Sequence, residues 1–173
     1  MEEKTFTFSE LSPTAQENAH KHYLENIYTY DPSEYMSTIS IFCNEFGVKI
    51  ERYEGALLFD TPKIITTKYE NIQYKEYDLV AFIKQEFAEA LSKPPTDNFL
   101  WDEMTAPILD FIDVPYETET LDSLLKECVE IGFEVIRYKE EFLKSLRCFS
   151  FDCSINHWRF HENGMPAKEN IYN

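Results

Sequence analysis

Apolar residues recur at every third or fourth position along much of the chain, and this spacing predicts amphipathic helices. Ser12 can act as an N-cap, and proline at position 13 suits the first helical position, so we predict a helix over residues 13–26. Residues 31–34, with the sequence Asp-Pro-Ser-Glu, give a second start signal. The helix that begins there is predicted to end at Gly47.

Further helical segments are predicted in the second half of the chain. A helix over residues 78–91 begins at an aspartate that can cap it. Residues 96–116 predict two short helices, because Pro107 should interrupt a single one. A long helix is predicted over residues 120–146. Its predicted buried stripe consists of Leu121, Leu124, Leu125, Cys128, Ile131, Val135, Tyr138, Phe142 and Leu146.

Alternation of polar and apolar residues predicts short strands between and beside these helices. Such alternation occurs at residues 5–8, and residues 48–77, with β-rich runs at 48–50, 56–59 and 64–74, predict two or three antiparallel strands. Residues 157–161 predict a closing strand, and Asn163-Gly164 is a strong tight-turn signal after it. We therefore expect an α+β fold, with several helices packed around a small antiparallel sheet, in a single domain over residues 1–173.

The composition indicates a folded body with a strongly negative charge. Of the 173 residues 43% are hydrophobic, which excludes a disordered acidic tail. Asp and Glu number 32 against 16 Lys and Arg, a formal net charge of −16. Nucleic acid and anionic membranes are poor partners for this charge, and we expect a basic protein surface as the partner. The alternative is that the charge serves only solubility.

Targeting signals are also missing from the sequence. It contains no run of 18 apolar residues, and residues 1–4 lack the layout of a secretory signal. We therefore expect a cytoplasmic protein. In that compartment the four cysteines, Cys43, Cys128, Cys148 and Cys153, are expected to be free thiols.

The acidic residues are concentrated in one part of the sequence. Residues 94–125 contain eight Asp and Glu and no Lys or Arg, so no local cation neutralises them. Four more glutamates lie on one side of the long helix that follows. The predicted binding residues are Asp97, Asp102, Glu103, Asp110, Asp113, Glu117, Glu119, Asp122, Glu127, Glu130, Glu134 and Glu141.

Carboxylates spread over a rigid surface can imitate the charge track of a nucleic-acid backbone and occupy a basic channel. This arrangement is typical of a DNA-mimic inhibitor. The competing interpretation is an ordinary solvated helix face whose negative charge is partly neutralised by nearby lysines and arginines. Phe99 and Trp101 within the acidic stretch could anchor an interface, although aromatic residues at helical spacing more often belong to the core.

Signals for catalysis are weak. The sequence lacks a Gly-rich phosphate loop, a G-x-S-x-G elbow, an H-E-x-x-H motif and a C-x-x-C motif. We therefore expect no cofactor and no enzymatic activity, with an enzyme that lacks standard motifs as an alternative. Cys148, Cys153, His157 and His161 offer zinc-binding residue types, but their spacing matches no known zinc finger.

Two segments carry a family resemblance. Residues 6–19, Phe-Thr-Phe-Ser-Glu-Leu-Ser-Pro-Thr-Ala-Gln-Glu-Asn-Ala, are followed by Tyr23, and residues 153–164 end in an aromatic strand with an acid-Asn-Gly turn. These segments resemble a family of small acidic phage and prophage proteins that is often labelled "antitoxin of toxin-antitoxin stability system". The resemblance covers roughly the first fifty and last forty residues, and it carries over no functional residue.

The resemblance implies an origin in a mobile genetic element and a role in the cytoplasm of a bacterial host. Acidic phage proteins of this kind often block host nucleases, including restriction and CRISPR effectors. We therefore expect an inhibitor of a host nuclease or nucleoprotein effector, of the anti-CRISPR or anti-restriction type. The alternative is an antitoxin-like partner that neutralises a small toxin.

Overall fold

The computed structural model describes residues 4–51, 63–66, 68–69, 72–95, 100–117 and 119–167. A 3-10 turn over Phe8–Glu10 is followed by two helices, α1 (Pro13–Asn26) and α2 (Ser33–Phe46). Next come strands β1 (Val48–Glu51) and β2 (Lys63–Thr66). The later helices are α3 (Glu76–Glu86), α4 (Ala88–Ser92), α5 (Trp101–Asp113), α6 (Leu121–Lys144) and α7 (Leu146–Ile155). The predicted α+β class is confirmed.

The chain divides into two compact units, with one boundary between α1 and α2 and the other inside α6. The first unit comprises Met1–Tyr30 and Tyr138–Asn173, and the second comprises Asp31–Arg137. A single cooperative domain over residues 1–173 stays a prediction, because a division by spatial clustering does not show how the units unfold.

Aromatic residues from both ends of the chain form the core of the first unit. Helix α1 has the predicted bounds, and the Ser12 hydroxyl accepts a hydrogen bond from the Ala15 N–H at 3.3 Å. Ala15 and Ala19 are its buried residues, so the partner elements can approach α1 closely. The Phe149 ring lies 5.2 Å from the ring of Phe8 in an edge-on arrangement. These contacts join the N-terminal turn to α7.

The two strands predicted at the chain ends are reduced to single bridges. Phe6 and Phe160 exchange two backbone hydrogen bonds, and Phe160 also pairs with Pro166. Helix α7, which the sequence analysis did not predict, ends at Ile155, and His157, the first residue of the predicted closing strand, lies in the turn that follows, with φ of 55°. The Asn163-Gly164 turn is present: the Gly164 N–H donates to the His161 carbonyl at 3.0 Å.

In the second unit, α2 supplies the central aromatic residues. Gly47 ends the helix in the left-handed conformation, with φ of 65°, as predicted. The Asp31 carboxylate accepts a hydrogen bond from the Ser33 N–H at 2.9 Å, which supports the predicted start. Phe42 and Phe46 are buried, with their rings stacked 4.3 Å apart, and both lie against Trp101.

Strands β1 and β2 form the sheet of the second unit. They pair antiparallel, with Val48 opposite Thr66 and Glu51 opposite Lys63. The Lys63 ammonium and the Glu51 carboxylate form an ion pair at 3.1 Å. A further strand predicted at residues 56–59 lies outside the described residues.

The prediction that Pro107 divides residues 96–116 into two helices is wrong. Helix α5 continues through Pro107 and buries Met104, Ile108 and Phe111 on one face. Proline removes one backbone donor and costs about 3 kcal/mol in a helix interior. Burial of each large apolar side chain contributes about 1.5 to 3 kcal/mol, so the face as a whole offsets the missing hydrogen bond.

The predicted buried stripe of α6 is wrong beyond Cys128. Ile131 and Val135 are half-buried, whereas the exposed fraction is 73% for Tyr138 and 46% for Phe142. Leu146 lies in α7 and is also exposed. The residues that α6 buries after Cys128 are Val129, Gly132, Phe133, Ile136 and Glu140.

Gly132 explains this difference. A Cβ atom at position 132 would lie 2.9 Å from the Met104 sulfur and 3.1 Å from Ile39 Cγ1. The missing side chain therefore lets α2 and α5 approach α6 at this position. Val129, Phe133 and Ile136 make this side apolar as well, and a pattern that gives no weight to glycine did not favour it over the side that was predicted.

Gly164→Ala is expected to destabilise the protein by about 2 to 4 kcal/mol. Gly164 has φ of 91°, and an added Cβ would collide with the backbone carbonyl of Ala15. Urea unfolding followed by circular dichroism measures the change. Glu162→Ala, an exposed position in the same turn, is the control and should change stability by less than about 0.5 kcal/mol. Equal stability of the two variants would contradict this packing of the turn.

If the chain is a single cooperative domain, differential scanning calorimetry should show one heat-absorption peak. The calorimetric and van't Hoff enthalpies should then agree, as they do for two-state unfolding. Two separated peaks, or a calorimetric enthalpy well above the van't Hoff value, would show that the two units unfold independently.

Candidate functional site

Four of the predicted acidic residues lie on one face of α5. Asp102, Glu103, Asp110 and Asp113 are all exposed, and at 100° per residue they fall within an arc of about 100°. The buried face of the helix, formed by residues such as Met104 and Ile108, lies on the opposite side. Packing of the apolar face therefore directs these four carboxylates into solvent.

Helix α6 presents acidic residues in the same way. Glu127, Glu130 and Glu134 are exposed and lie within about 60° of one another around the helix axis. They lie opposite the buried stripe that contains Cys128 and Gly132. These three glutamates and the four acids of α5 belong to the second unit.

The segment between α5 and α6 brings several negative charges together around Tyr116. Hydrogen bonding to the Glu119 carboxylate and burial raise the pKa of the Tyr116 phenol above its usual value. The charges of Glu119, Glu127 and Asp110 raise the pKa further. Residues from α5, the connecting segment and α6 therefore act on one hydroxyl group, and the structure groups these three predicted acids in space.

Few cations neutralise these carboxylates. Lys126 pairs with Asp122 at 2.6 Å, and Arg137 approaches Glu134 at 3.9 Å. Pairs this exposed contribute only about 0 to 1 kcal/mol. Among the described residues, no salt bridge reaches the other predicted acids of the second unit. This part of the structure therefore keeps most of its negative charge.

Apolar side chains are exposed among the acids. The exposed fraction is 46% for Leu109 and 72% for Val114, and Tyr116 is also exposed. Protein interfaces commonly combine apolar contacts with a charged rim. The sequence analysis included all three residues in the helices predicted over residues 96–116 and gave none of them a role in binding. The position of Val114 and Tyr116 beside Pro115, at the end of the apolar periodicity, was the available signal.

The acidic surface is defined here as the described acids of the second unit that were predicted for binding. It consists of Asp102, Glu103, Asp110, Asp113, Glu117, Glu119, Asp122, Glu127, Glu130 and Glu134. Glu119 and Asp122 are half-buried, and the others are exposed. Glu141 is exposed but belongs to the first unit, and Asp97 lies outside the described residues.

The structure describes only one of the two predicted aromatic anchors. Trp101 is only 2% exposed and packs against Phe42 and Phe46, as the core interpretation predicts. Phe99 lies outside the described residues.

The zinc-binding residue types do not form a ligand set. Cys148, Cys153, His157 and His161 are all described, and no group of three metal-ligating side chains occurs in the described part of the chain. All four cysteines are free thiols. Burial raises the pKa of Cys153 to about 12, which disfavours the thiolate that zinc requires.

Burial has the same effect on the other thiols. It raises the pKa of Cys43 to about 11, and it raises the pKa of Cys128 and Cys148 above the usual value. Reactive cysteines have a depressed pKa, so none of these thiols has the electrostatic environment of a nucleophile.

Comparison with known protein families, curated proteins and solved structures found no significant match. The resemblance to phage and prophage proteins therefore stays a prediction. Over the described residues, no helix is both long enough and apolar enough to span a bilayer.

Glu119→Gln is expected to lower the pKa of Tyr116 relative to the unchanged protein. The substitution removes a negative charge and weakens the hydrogen bond that favours the neutral phenol. An NMR pH titration of ring-labelled tyrosine measures the shift, and Tyr116→Phe assigns the signal. Glu103→Gln serves as the control, because Glu103 does not contribute to the raised pKa. Equal titration of Tyr116 in both variants would contradict the grouping of charges.

Proposed function

We propose that this protein inhibits a nucleic-acid-handling defence enzyme of a bacterial host by binding the enzyme through the acidic surface. The inhibitor is of the anti-CRISPR or anti-restriction type, and its origin is a phage or prophage. Its partner presents a basic surface that normally contacts nucleic acid. The observation that carries the proposal is the exposure of a largely unneutralised set of carboxylates opposite the packed faces of α5 and α6.

The spacing of the charges supports this proposal. From Asp102 to Asp113, four carboxylates extend along about 16 Å of helix axis, at 1.5 Å per residue. From Glu127 to Glu134, three more extend along about 10 Å. The axial spacing thus averages about 5 Å per charge on each helix, with a gap of about 10 Å between Glu103 and Asp110, compared with about 3.4 Å along one DNA strand. A basic channel built for phosphates can therefore pair with several of these carboxylates.

The exposed apolar residues support a protein partner over a freely diffusing cation. A channel wall that contacts Leu109 or Val114 excludes water from the neighbouring charge pairs. Electrostatic attraction then accelerates encounter, and the apolar contacts slow dissociation.

The first experiment identifies the partner. Tagged protein is recovered from lysate of the bacterial host at low salt, and bound proteins are released at high salt because counterions screen surface charges. Recovery of a nuclease or nucleoprotein effector supports the proposal. Recovery of a small basic toxin supports the antitoxin-like alternative.

Reversal of four acids to lysine is expected to abolish binding to the recovered enzyme and to restore its nuclease activity. The variant carries Asp102→Lys, Asp110→Lys, Glu130→Lys and Glu134→Lys, all at exposed positions. Repulsion between like charges then replaces attraction at the interface. Calorimetric titration measures affinity, and cleavage of a labelled substrate measures inhibition.

A matched control separates the location of the charge from its total. Glu17→Lys, Glu34→Lys, Asp78→Lys and Glu162→Lys change four exposed acids elsewhere and alter the net charge equally. This control should retain most of the binding. Unchanged inhibition by the first variant, or equal loss in both, would show that the acidic surface is not the binding site.

A further inference from the structure

The tight turn of the first unit contains a chemically reactive pair of residues that the proposed function does not use. Asn163-Gly164 is the only place in the sequence where glycine follows asparagine. Asparagine is a thermolabile residue. Because glycine has no side chain, its main-chain nitrogen can reach the side-chain carbonyl carbon of the asparagine before it. Asn163 is exposed, so water and hydroxide also have access to it.

The reaction open to this pair is deamidation, which needs no co-reactant other than water. The Gly164 nitrogen loses its proton and forms a bond to Cγ of Asn163. The bond from Cγ to the side-chain nitrogen then breaks, and that nitrogen takes up a proton and leaves as ammonia. Water opens the resulting cyclic imide at either carbonyl, which yields aspartate or isoaspartate. Each product carries a negative charge that asparagine lacks.

Hydrogen bonds in the folded turn hold the reacting groups away from this path. The Gly164 N–H donates to the His161 carbonyl at 3.0 Å, which withholds the proton that must be lost. The Asn163 Oδ1 accepts a hydrogen bond from the Met165 N–H at 3.0 Å. The Asn163 main-chain carbonyl accepts one from Asn18 Nδ2 of α1 at 3.3 Å. Attack on Cγ therefore requires at least the first of these bonds to break.

Packing against α1 makes the turn difficult to open. Gly164 is buried, and a Cβ atom at this position would collide with the Ala15 carbonyl and lie 3.1 Å from the Ala19 nitrogen. The backbone of the turn thus lies directly on the helix, and rotation of the Gly164 peptide requires the two to separate. Buried, hydrogen-bonded amides react through local opening, at a rate set by the population of the open state.

We propose that Asn163 is a latent deamidation site, which the folded turn protects and which reacts when the turn separates from α1. The modified residue then marks molecules whose first unit has opened. Isoaspartate also inserts an extra carbon atom into the main chain before the Gly164 nitrogen, where the turn is packed against Ala15. The isoaspartate product therefore cannot restore the original geometry of the turn.

The first measurement compares the folded and the unfolded full-length protein. Samples are incubated in mildly alkaline buffer with and without guanidinium chloride, and peptide mapping by mass spectrometry follows replacement of the side-chain amide by a carboxyl group. In denaturant, Asn163 should react faster than the other asparagines, because it alone precedes glycine. In the folded protein its rate should be lower by more than about tenfold. Equal rates in the two states would overturn the proposal.

Two matched variants test the contact with α1. Asn18→Ala removes the bond to the Asn163 carbonyl, so deamidation in the folded protein should accelerate about threefold, the effect of one exposed hydrogen bond. Asn26→Ala removes a bond within α1, from Asn26 Nδ2 to the His22 carbonyl, and should leave the rate unchanged. Both positions are exposed, and neither variant alters the Asn163-Gly164 pair. The proposal is also overturned if neither variant changes the rate or if both accelerate it equally.

Discussion

The packing of α2, α5 and α6 at Gly132 determines which residues of the second unit face solvent. Gly132 has no side chain, so Met104 and Ile39 can lie directly against the helix. This contact fixes the rotation of α6 about its axis. Val129 and Phe133 then turn inward, and the glutamates on the opposite side turn outward. The exposure of the α6 acids is therefore a consequence of core packing, and any partner meets a face whose orientation the core sets.

Local signals in the sequence predicted the start of α1 and the end of α2 correctly, although they missed α4 and α7. Ser12 caps α1 and Gly47 ends α2 through interactions within a few residues, so sequence spacing contains the necessary information. The continuity of α5 through Pro107 has a different origin. It depends on apolar contacts with residues far away in sequence, and a local rule about proline cannot include their contribution.

The same distinction applies to the candidate site. The exposure of the acids was predictable, because unpaired carboxylates are rarely buried. Their grouping was not, because Asp110, Glu119 and Glu127 meet at Tyr116 only through the turn between α5 and α6.

The composition of the acidic surface bears on how an inhibitor of this kind achieves specificity. Exposed charges are screened beyond about 8 Å at physiological ionic strength, and they attract many basic surfaces without distinction. The contacts that Leu109 and Val114 can make are short-ranged and insensitive to salt, and they require a complementary shape. On the proposed function, the carboxylates increase the rate of encounter with nucleic-acid-binding proteins in general. The apolar residues among them then select which of these encounters lasts, so specificity depends on the residues that least resemble DNA.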